Sequence, residues 1–238
     1  MSCSFVSSTN RKSSGDCLLA IDTATELCSV ALMNADRPII ERHVLDPQGH
    51  SRLLLGMIEA VLEEGGLAKS EITAVSYDSG PGSFTGIRIG AGVAQGLALG
   101  LNVPLLGISS LMILSQHLSQ ELGSEKPVLA AIDARMNQVY WGLLRQDSAS
   151  HSGWRWLETP KVSDPGELAN FVEGCVGIGS GWDSYATTFQ QTKTASWVSS
   201  RFPDASSQMH IAKRLIASGI KETWQEALPT YVRDKVTH

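Results

Sequence analysis

After a polar stretch at residues 1–16, the chain contains short apolar or alternating runs that are separated by polar, turn-like residues. Residues 18–22, 28–33 and 38–44 form three such runs, each about as long as a β-strand and close to the next along the chain. This pattern predicts a meander of three antiparallel strands at the beginning of the fold.

A helical period follows the meander. In residues 50–64 the apolar positions recur every three or four residues, and Gly65-Gly66 ends the run, as expected of an amphipathic helix with a glycine C-cap. Residues 72–77 predict the next strand, and a glycine-rich turn leads from it into a second helix that runs to about Gly100. A strand at residues 104–108 and a helix at 109–122 complete this half.

The pattern then starts again. Ala20-Ile21-Asp22 recurs as Ala131-Ile132-Asp133, and an apolar run follows each triplet at the same offset. Strands predicted at residues 153–157 and 176–179 alternate with helices at 165–173 and 205–218. We therefore predict an α/β protein of two duplicated lobes, with chance similarity of two apolar hairpins as the alternative.

The predicted elements divide the chain into four parts. Residues 1–16 are polar and Ser-rich and are expected to be a disordered tail. Residues 17–108 form the first lobe and 109–210 the second. Residues 211–238 form a C-terminal helix and tail, which could return to the first lobe.

Composition narrows the classes of function. Lys and Arg total 19 against 24 for Asp and Glu, so the formal net charge is −5. This charge argues against a chain that binds nucleic acid by itself, because phosphate binding needs a basic surface. The four cysteines lack metal-ligand spacing, and no apolar run approaches the roughly 20 residues of a membrane span. We expect a cytoplasmic protein with no membrane partner.

The turn after the fourth strand, residues 79–90, is the strongest local signal. Ser83 lies between strand and helix, where the nucleophile of many hydrolases is found, but that motif requires glycine two residues before and after the serine. Pro81 and Thr85 occupy those places, so Ser83 is interpreted as a helix cap. Together with the six histidines, none of which forms a metal-binding pair, this predicts neither a catalytic residue nor a metal site.

Small residues line the helix that follows. Gly86, Gly90 and Ala94 are spaced four apart and share a face, while Gly92, Gly96 and Gly100 form a neighbouring line. Glycine costs up to about 1 kcal/mol in a helix relative to alanine, so several of them imply a close packing partner. That partner is either the protein's own sheet or another protein, and we favour the second. The predicted interface comprises Leu53, Leu54, Met57, Ile58, Val61, Gly86, Gly90, Ala94 and Gly96.

Two aspartates lie at the hairpin turns that open the lobes. Asp22, followed by Thr23, and Asp133 would face each other across a cleft, where carboxylates could hold a metal-bound phosphate. In the alternative interpretation each Asp caps its own turn. Neither turn contains glycine, which disfavours phosphate binding, so only a weak nucleotide site is predicted at these residues.

The motifs, taken together, resemble the bacterial TsaB family, also called YeaZ. The resemblance is carried by residues 18–26, 80–90, 132–135 with Val139-Tyr140, and 229–233, and it extends from about Leu18 to the C-terminus. It implies the two-lobed fold shared by actin, sugar kinases and heat-shock chaperones. Met136-Asn137-Gln138 departs from the Gly-Glu pair of many relatives, which weakens any inference about that turn.

The resemblance also implies a function. Members of the family take part in forming N6-threonylcarbamoyladenosine beside the anticodon of tRNAs that read codons starting with A. In that process they are non-catalytic partners of TsaD, which carries the metal and transfers the group, and the ATPase TsaE joins them. The resemblance implies that this chain has no cofactor of its own, since partners hold ATP, ADP and metal, and that it reaches tRNA only through the complex. The helices at 50–64 and 83–100 would bind TsaD, or a second copy when TsaD is absent.

Two enzymatic alternatives come from the same superfamily. A glycoprotease-like metalloprotease would need a cluster of His and Glu ligands, which the sequence does not contain. A small-molecule kinase would need glycine-rich phosphate turns, whereas the turns at Asp22 and Asp133 have none.

Overall fold

The computed structural model describes residues 16–35, 37–123, 125–190, 196–220, 223, 225 and 228–232. Apart from Asp16, the predicted N-terminal tail lies outside these residues. The elements of the first half are β1 (Cys17–Asp22), β2 (Leu27–Asn34), β3 (Ile40–Leu45), α1 (His50–Gly65), β4 (Ala74–Gly80), α2 (Phe84–Leu101), β5 (Leu105–Ser109) and α3 (Ser110–Leu122). Those of the second half are β6 (Val128–Asp133), β7 (Val139–Gln146), β8 (Trp154–Ser163), β9 (Val176–Ile178), α4 (Ser180–Ser184), α5 (Ala186–Gln190), β10 (Trp197–Val198) and α6 (Ala205–Ala217).

The strands form two five-stranded sheets of the same topology. The first has the order β3-β2-β1-β4-β5 and the second β10-β9-β6-β7-β8, which is the same order in reverse. In each, an antiparallel meander is joined through its first strand to two parallel strands. The prediction of an α/β fold with duplicated lobes is confirmed, and the triplets ending in Asp22 and Asp133 close equivalent strands.

Two predicted elements differ from the structure. The helix predicted at residues 165–173 is a 3-10 helix, Pro165–Phe171, because a proline and a glycine begin a segment too short to gain many α-helical hydrogen bonds. The strand expected at 153–157 continues to Ser163 because it pairs with β7 along its whole length, a long-range pairing that local pattern does not reveal.

Helices cover both faces of the first sheet. On one face, α1 and α2 bury apolar side chains against β1, β2 and β4. On the other face lie α3 and α6, which also reach the second sheet. Within α6, Met209 packs beside Ala20 of the first sheet, whereas Ile211 joins the cluster around Ile132 of the second. Residue 210 therefore falls inside a continuous helix that connects the lobes.

The N-terminus of α6 is tied to α3. Asp204 caps the helix by accepting a 2.8 Å hydrogen bond from the Ser207 amide, and its other oxygen lies 2.6 Å from Nδ1 of His117. Burial alone would raise the pKa of Asp204, but the hydrogen bonds from His117, Ser207 and Ser206 lower it to about 2. This carboxylate fixes the position of α6 between the lobes.

Candidate functional site

The glycine-rich turn between β4 and α2 packs against the β1–β2 turn of the same chain. A Cβ added at Gly82 would lie 2.2 Å from the Ala24 carbonyl oxygen, and one added at Gly86 would lie 2.0 Å from that of Thr23. The Thr23 hydroxyl donates a 2.7 Å hydrogen bond to the Gly86 carbonyl, and the Ser83 amide donates to Ala24. Ser83 also caps α2, accepting from the Gly86 amide, as its position between strand and helix predicts. These glycines serve the internal contact of the two turns.

The structure corrects most of the predicted interface. On α2, Gly86, Gly90 and Ala94 face the protein's own sheet, and a Cβ at Gly90 would lie 2.5 Å from Oγ1 of Thr23. On α1, the buried members are part of the first-lobe core: Leu54, Met57, Ile58 and Val61. Leu53 is half-buried against that core. Of the nine predicted residues, Gly96 is the exposed one.

The neighbouring line of small residues is the one that faces solvent. Arg88, Gly92, Gly96 and Gly100 are spaced four apart on the outward side of α2, and we call them the outer stripe. Apart from the helix's own backbone and the neighbouring residues, no heavy atom of the described residues comes within 4 Å of a Cβ built on any of its three glycines, and the same holds for Gly56 on α1. We call this outward face the docking surface; it consists of the outer stripe with Leu55, Gly56 and Leu99.

The docking surface exposes large apolar side chains to solvent. Leu55 and Leu99 are 58% and 55% exposed. By length and composition α2 qualifies as a candidate membrane span, contrary to the expectation from sequence, and a third of its residues are buried. Because α2 packs on β4 and β1 through its inner face, its surplus of apolar surface lies on the outside, where it is available to another helix.

The structure also corrects the predicted nucleotide site at Asp22 and Thr23. Both are buried, and Asp22 accepts a 3.0 Å hydrogen bond from the Ala24 amide, the turn-capping role that was the alternative interpretation. Its second oxygen, Oδ2, lies near Asp78 on β4. The Oδ2 atoms of both aspartates are buried and have no hydrogen-bond donor among the described residues. The two carboxyls are close enough to hydrogen-bond when one is protonated.

Burial determines the charge state of this pair. It raises the pKa of Asp78 to about 7, against the lowering effect of hydrogen bonds from the Ser110 hydroxyl and the Gly80 amide. Burial, and then the negative charge of Asp78, raise the pKa of Asp22 as well. A carboxyl that is held neutral is poorly suited to bind the cation of a metal-bound phosphate.

Asp133, in contrast, borders a cavity of about 700 Å³ between the lobes. Its carboxylate pairs with Arg135 at 3.2 Å, and Arg135 reaches across to Glu26 of the other hairpin at 3.0 Å. The two hairpins thus face each other, as the duplication predicts, and Arg135 bridges their carboxylates. Residues 230–232 near the C-terminus line the same cavity.

Residues 228–232, which we call the C-terminal strap, run back to the first lobe. The Thr230 amide donates a 2.7 Å hydrogen bond to the Ser79 carbonyl, and the Tyr77 hydroxyl donates to the carbonyl of Leu228. Tyr231 then lies beside Phe84 at the start of α2, with ring centroids 6.5 Å apart. The sequence predicts that the C-terminal tail could return to the first lobe, but nothing local links these two segments, so this contact does not follow from it.

No group of three or more His, Cys, Asp or Glu side chains gathers as a metal site within the described part of the chain. The cysteines among the described residues, Cys17, Cys28 and Cys175, are buried and unpaired with one another. Burial raises the pKa of Cys17 and of Cys28 to about 11, so neither thiol is activated as a nucleophile.

Comparison with known proteins agrees with these features. A sequence model of the TsaD family, described as tRNA N6-adenosine threonylcarbamoyltransferase, matches residues 46–151. The tRNA threonylcarbamoyladenosine biosynthesis protein TsaB of Escherichia coli is 37% identical over 92% of this chain and 95% of its own length. TsaB of Haemophilus influenzae is 34% identical over 92% of this chain and 94% of its own. The solved structure of YeaZ from Pseudomonas aeruginosa superposes with a TM-score of 0.82 at 37% identity, over 91% of this chain and 100% of that one. The chain therefore belongs to the TsaB family.

Proposed function

We propose that this protein is a non-catalytic subunit that activates TsaD, the transferase that forms N6-threonylcarbamoyladenosine in tRNA. The observation that supports this most directly is the docking surface on α1 and α2 in a member of the TsaB family. TsaE completes the proposed assembly, which acts on tRNA in the cytoplasm.

The outer stripe lowers the stability of α2 without a compensating contact, unless a partner packs against it. Each glycine within a helix costs about 0.5–1 kcal/mol relative to alanine, and Gly92 and Gly96 touch nothing that would require a missing side chain. A helix face without side chains lets a second helix approach closely, so that backbone and small side chains pack together. The two exposed leucines beside the stripe add apolar area to such a contact.

The transferase itself is a suitable occupant. The TsaD-family match at residues 46–151 includes both α1 and α2, so a TsaD chain carries counterparts of these two helices. Two related helix pairs can associate about a pseudo-two-fold axis, which makes the contact resemble that of a symmetric dimer. The same reasoning predicts that this protein forms a homodimer through the docking surface when TsaD is absent.

The chemistry is assigned to the partners. Asp22 and Thr23 are used in internal contacts, and Asp133 is paired with Arg135, so these residues are poor holders of nucleotide and metal. We therefore place ATP, ADP and the metal ion on TsaD and TsaE. With a net charge of −5, this chain also lacks the electrostatic means to hold tRNA by itself, and we propose that tRNA is bound by the complex.

Reconstitution of threonylcarbamoyl transfer tests the proposal. TsaD, TsaE, unmodified tRNA, ATP and threonylcarbamoyl-adenylate would be combined with and without this protein, and modified adenosine measured by mass spectrometry of the nucleosides. We expect modification to depend on the protein and to saturate near one copy for each TsaD. Heat-unfolded protein serves as the control and should not activate.

Two results would contradict the proposal. The first is equally fast modification by TsaD and TsaE without this protein. The second is steady ATP hydrolysis or tRNA modification by this protein alone, which would make it an enzyme.

A further inference from the structure

One end of the outer stripe carries a positive charge held between two aromatic rings. The guanidinium carbon of Arg88 lies 3.2 Å from the centroid of the Phe84 ring and 5.3 Å from that of Tyr231. Phe84 is one helical turn before Arg88, whereas Tyr231 arrives from the C-terminal strap. Both rings are themselves well exposed, at 63% and 52%. The charge is therefore fixed in place at the surface rather than buried.

Among the described residues, Arg88 forms no ion pair with a carboxylate. Arg135, on the far side of the cavity, is by comparison paired with two carboxylates. The first turn of α2 also contains no acidic residue, so the positive end of the helix dipole is not offset there. Two sources of positive potential thus coincide at the beginning of α2.

We infer that Arg88 is the charged anchor of the docking surface and binds a carboxylate on the subunit that covers it, with Tyr231 as its positioning residue. This inference rests on the proposed function and adds the chemistry of the contact. A guanidinium stacked on aromatic rings keeps its N–H edge free, and that edge matches a carboxylate in two parallel hydrogen bonds. Because the rings already restrict the side chain, less conformational entropy is lost on binding.

The surroundings favour a protein carboxylate over an RNA phosphate. The stripe continues from Arg88 into Gly92, Gly96 and Gly100, an apolar track that suits a helix. Phosphate backbones are instead held by several cations spread over a surface, and the stripe contains a single arginine. Arginine and tyrosine surrounded by water-excluding apolar contacts are also the residues that most often dominate the energy of protein interfaces.

The test compares four variants for their affinity toward purified TsaD, measured by isothermal titration calorimetry at low and high salt. Arg88→Ala should weaken binding by about 10- to 100-fold, the usual loss for an interface arginine that contributes strongly to binding. Arg88→Lys should recover only part of this affinity, because lysine keeps the charge but not the planar fork. Tyr231→Ala should weaken binding several-fold, and Tyr231→Phe should restore it, since only the ring is needed.

Arg155→Ala is the matched control. This arginine is also exposed and lies on β8, far along the chain from α2, so its loss should not change the affinity. Circular dichroism and the thermal midpoint should show all variants to be folded. The salt dependence of binding should be smaller for Arg88→Ala than for the wild type, because one ionic contact is missing.

The outcomes separate this inference from the proposed function. If the wild type does not bind TsaD, the proposed function fails and this inference with it. If the wild type binds and Arg88→Ala binds equally well, the inferred role of Arg88 is wrong but the proposed function stands. A lowered thermal midpoint of Arg88→Ala would then indicate that Arg88 contacts a group within this chain. If Arg88→Ala leaves the affinity for TsaD unchanged but weakens crosslinking of the complex to tRNA, Arg88 binds an RNA phosphate and the inferred protein carboxylate is wrong.

Discussion

Gly86→Ala is expected to destabilise the protein severely, whereas Gly96→Ala on the same helix is expected to stabilise it. The added methyl group at residue 86 would lie 2.0 Å from a backbone oxygen of Thr23, so the β1–β2 turn or α2 must move. Overpacking of this kind costs about 3 kcal/mol. At residue 96 the methyl group meets nothing within 4 Å, and the better helix propensity of alanine should add about 0.5–1 kcal/mol. Urea unfolding of both variants measures the difference.

Binding should respond in the opposite direction. Gly96→Ala and, more strongly, Gly96→Leu should weaken association with TsaD, because side chains on the outer stripe push the two helices apart. For leucine we expect a loss of about 10- to 100-fold, since overpacking a close contact costs about 1–3 kcal/mol and 1.4 kcal/mol is tenfold. Gly166→Leu, at an exposed glycine of the second lobe with open space around it, is the control for affinity. A stabilised Gly96→Leu variant that binds TsaD like the wild type would remove the docking surface from consideration.

Asp78→Asn should raise the stability of the protein increasingly as the pH rises from about 4 to 7. The pKa of Asp78 is raised by burial to about 7 in the folded state, against an ordinary value of 3.8. Between these values the unfolded chain has released the proton that the folded chain still holds, so folding becomes less favourable as pH increases. Above pH 7 the free energy of unfolding stays lowered by the full amount, because the buried Asp78 carboxyl is then ionised. Asparagine removes this loss, because its oxygen can accept from Gly80 and Ser110 while its amide donates to Asp22.

The expected gain is up to about 4 kcal/mol at pH 7 and above, since one pKa unit corresponds to about 1.4 kcal/mol. Urea unfolding at pH 4, 5.5, 7 and 8 would measure it for the variant and the wild type. Glu167→Gln, an exposed carboxyl change in the second lobe, is the control and should leave the pH profile unchanged. Equal stability of Asp78→Asn and wild type at pH 8 would show that ionisation of the buried pair does not lower the free energy of unfolding.

Much of the fold follows from local pattern. Neighbouring residues alone predict the apolar runs of β1 and β2, the period of α1 and the glycine caps, and the repeat of Ala20-Ile21-Asp22 at Ala131-Ile132-Asp133 predicts the duplicated sheets. The apolar spacing of residues 165–171 predicts a helix but fits either kind, so only the structure shows that it is a 3-10 helix. Pairing over the whole of β8 depends on β7 rather than on the sequence of β8 itself.

The sequence by itself determined that a helix rich in glycine follows β4, that its small residues exceed what a helix tolerates without a reason, and that the chain resembles the TsaB family. Only the tertiary structure decided which face of that helix is free. Gly86 and Gly90 are as small as Gly92 and Gly96, so composition cannot distinguish the two lines. The approach of Thr23 selects the first line for the core, and Arg88 is placed between its two rings by a strap from the far end of the chain. Both contacts join residues that are distant in sequence, so they exist only in the folded chain.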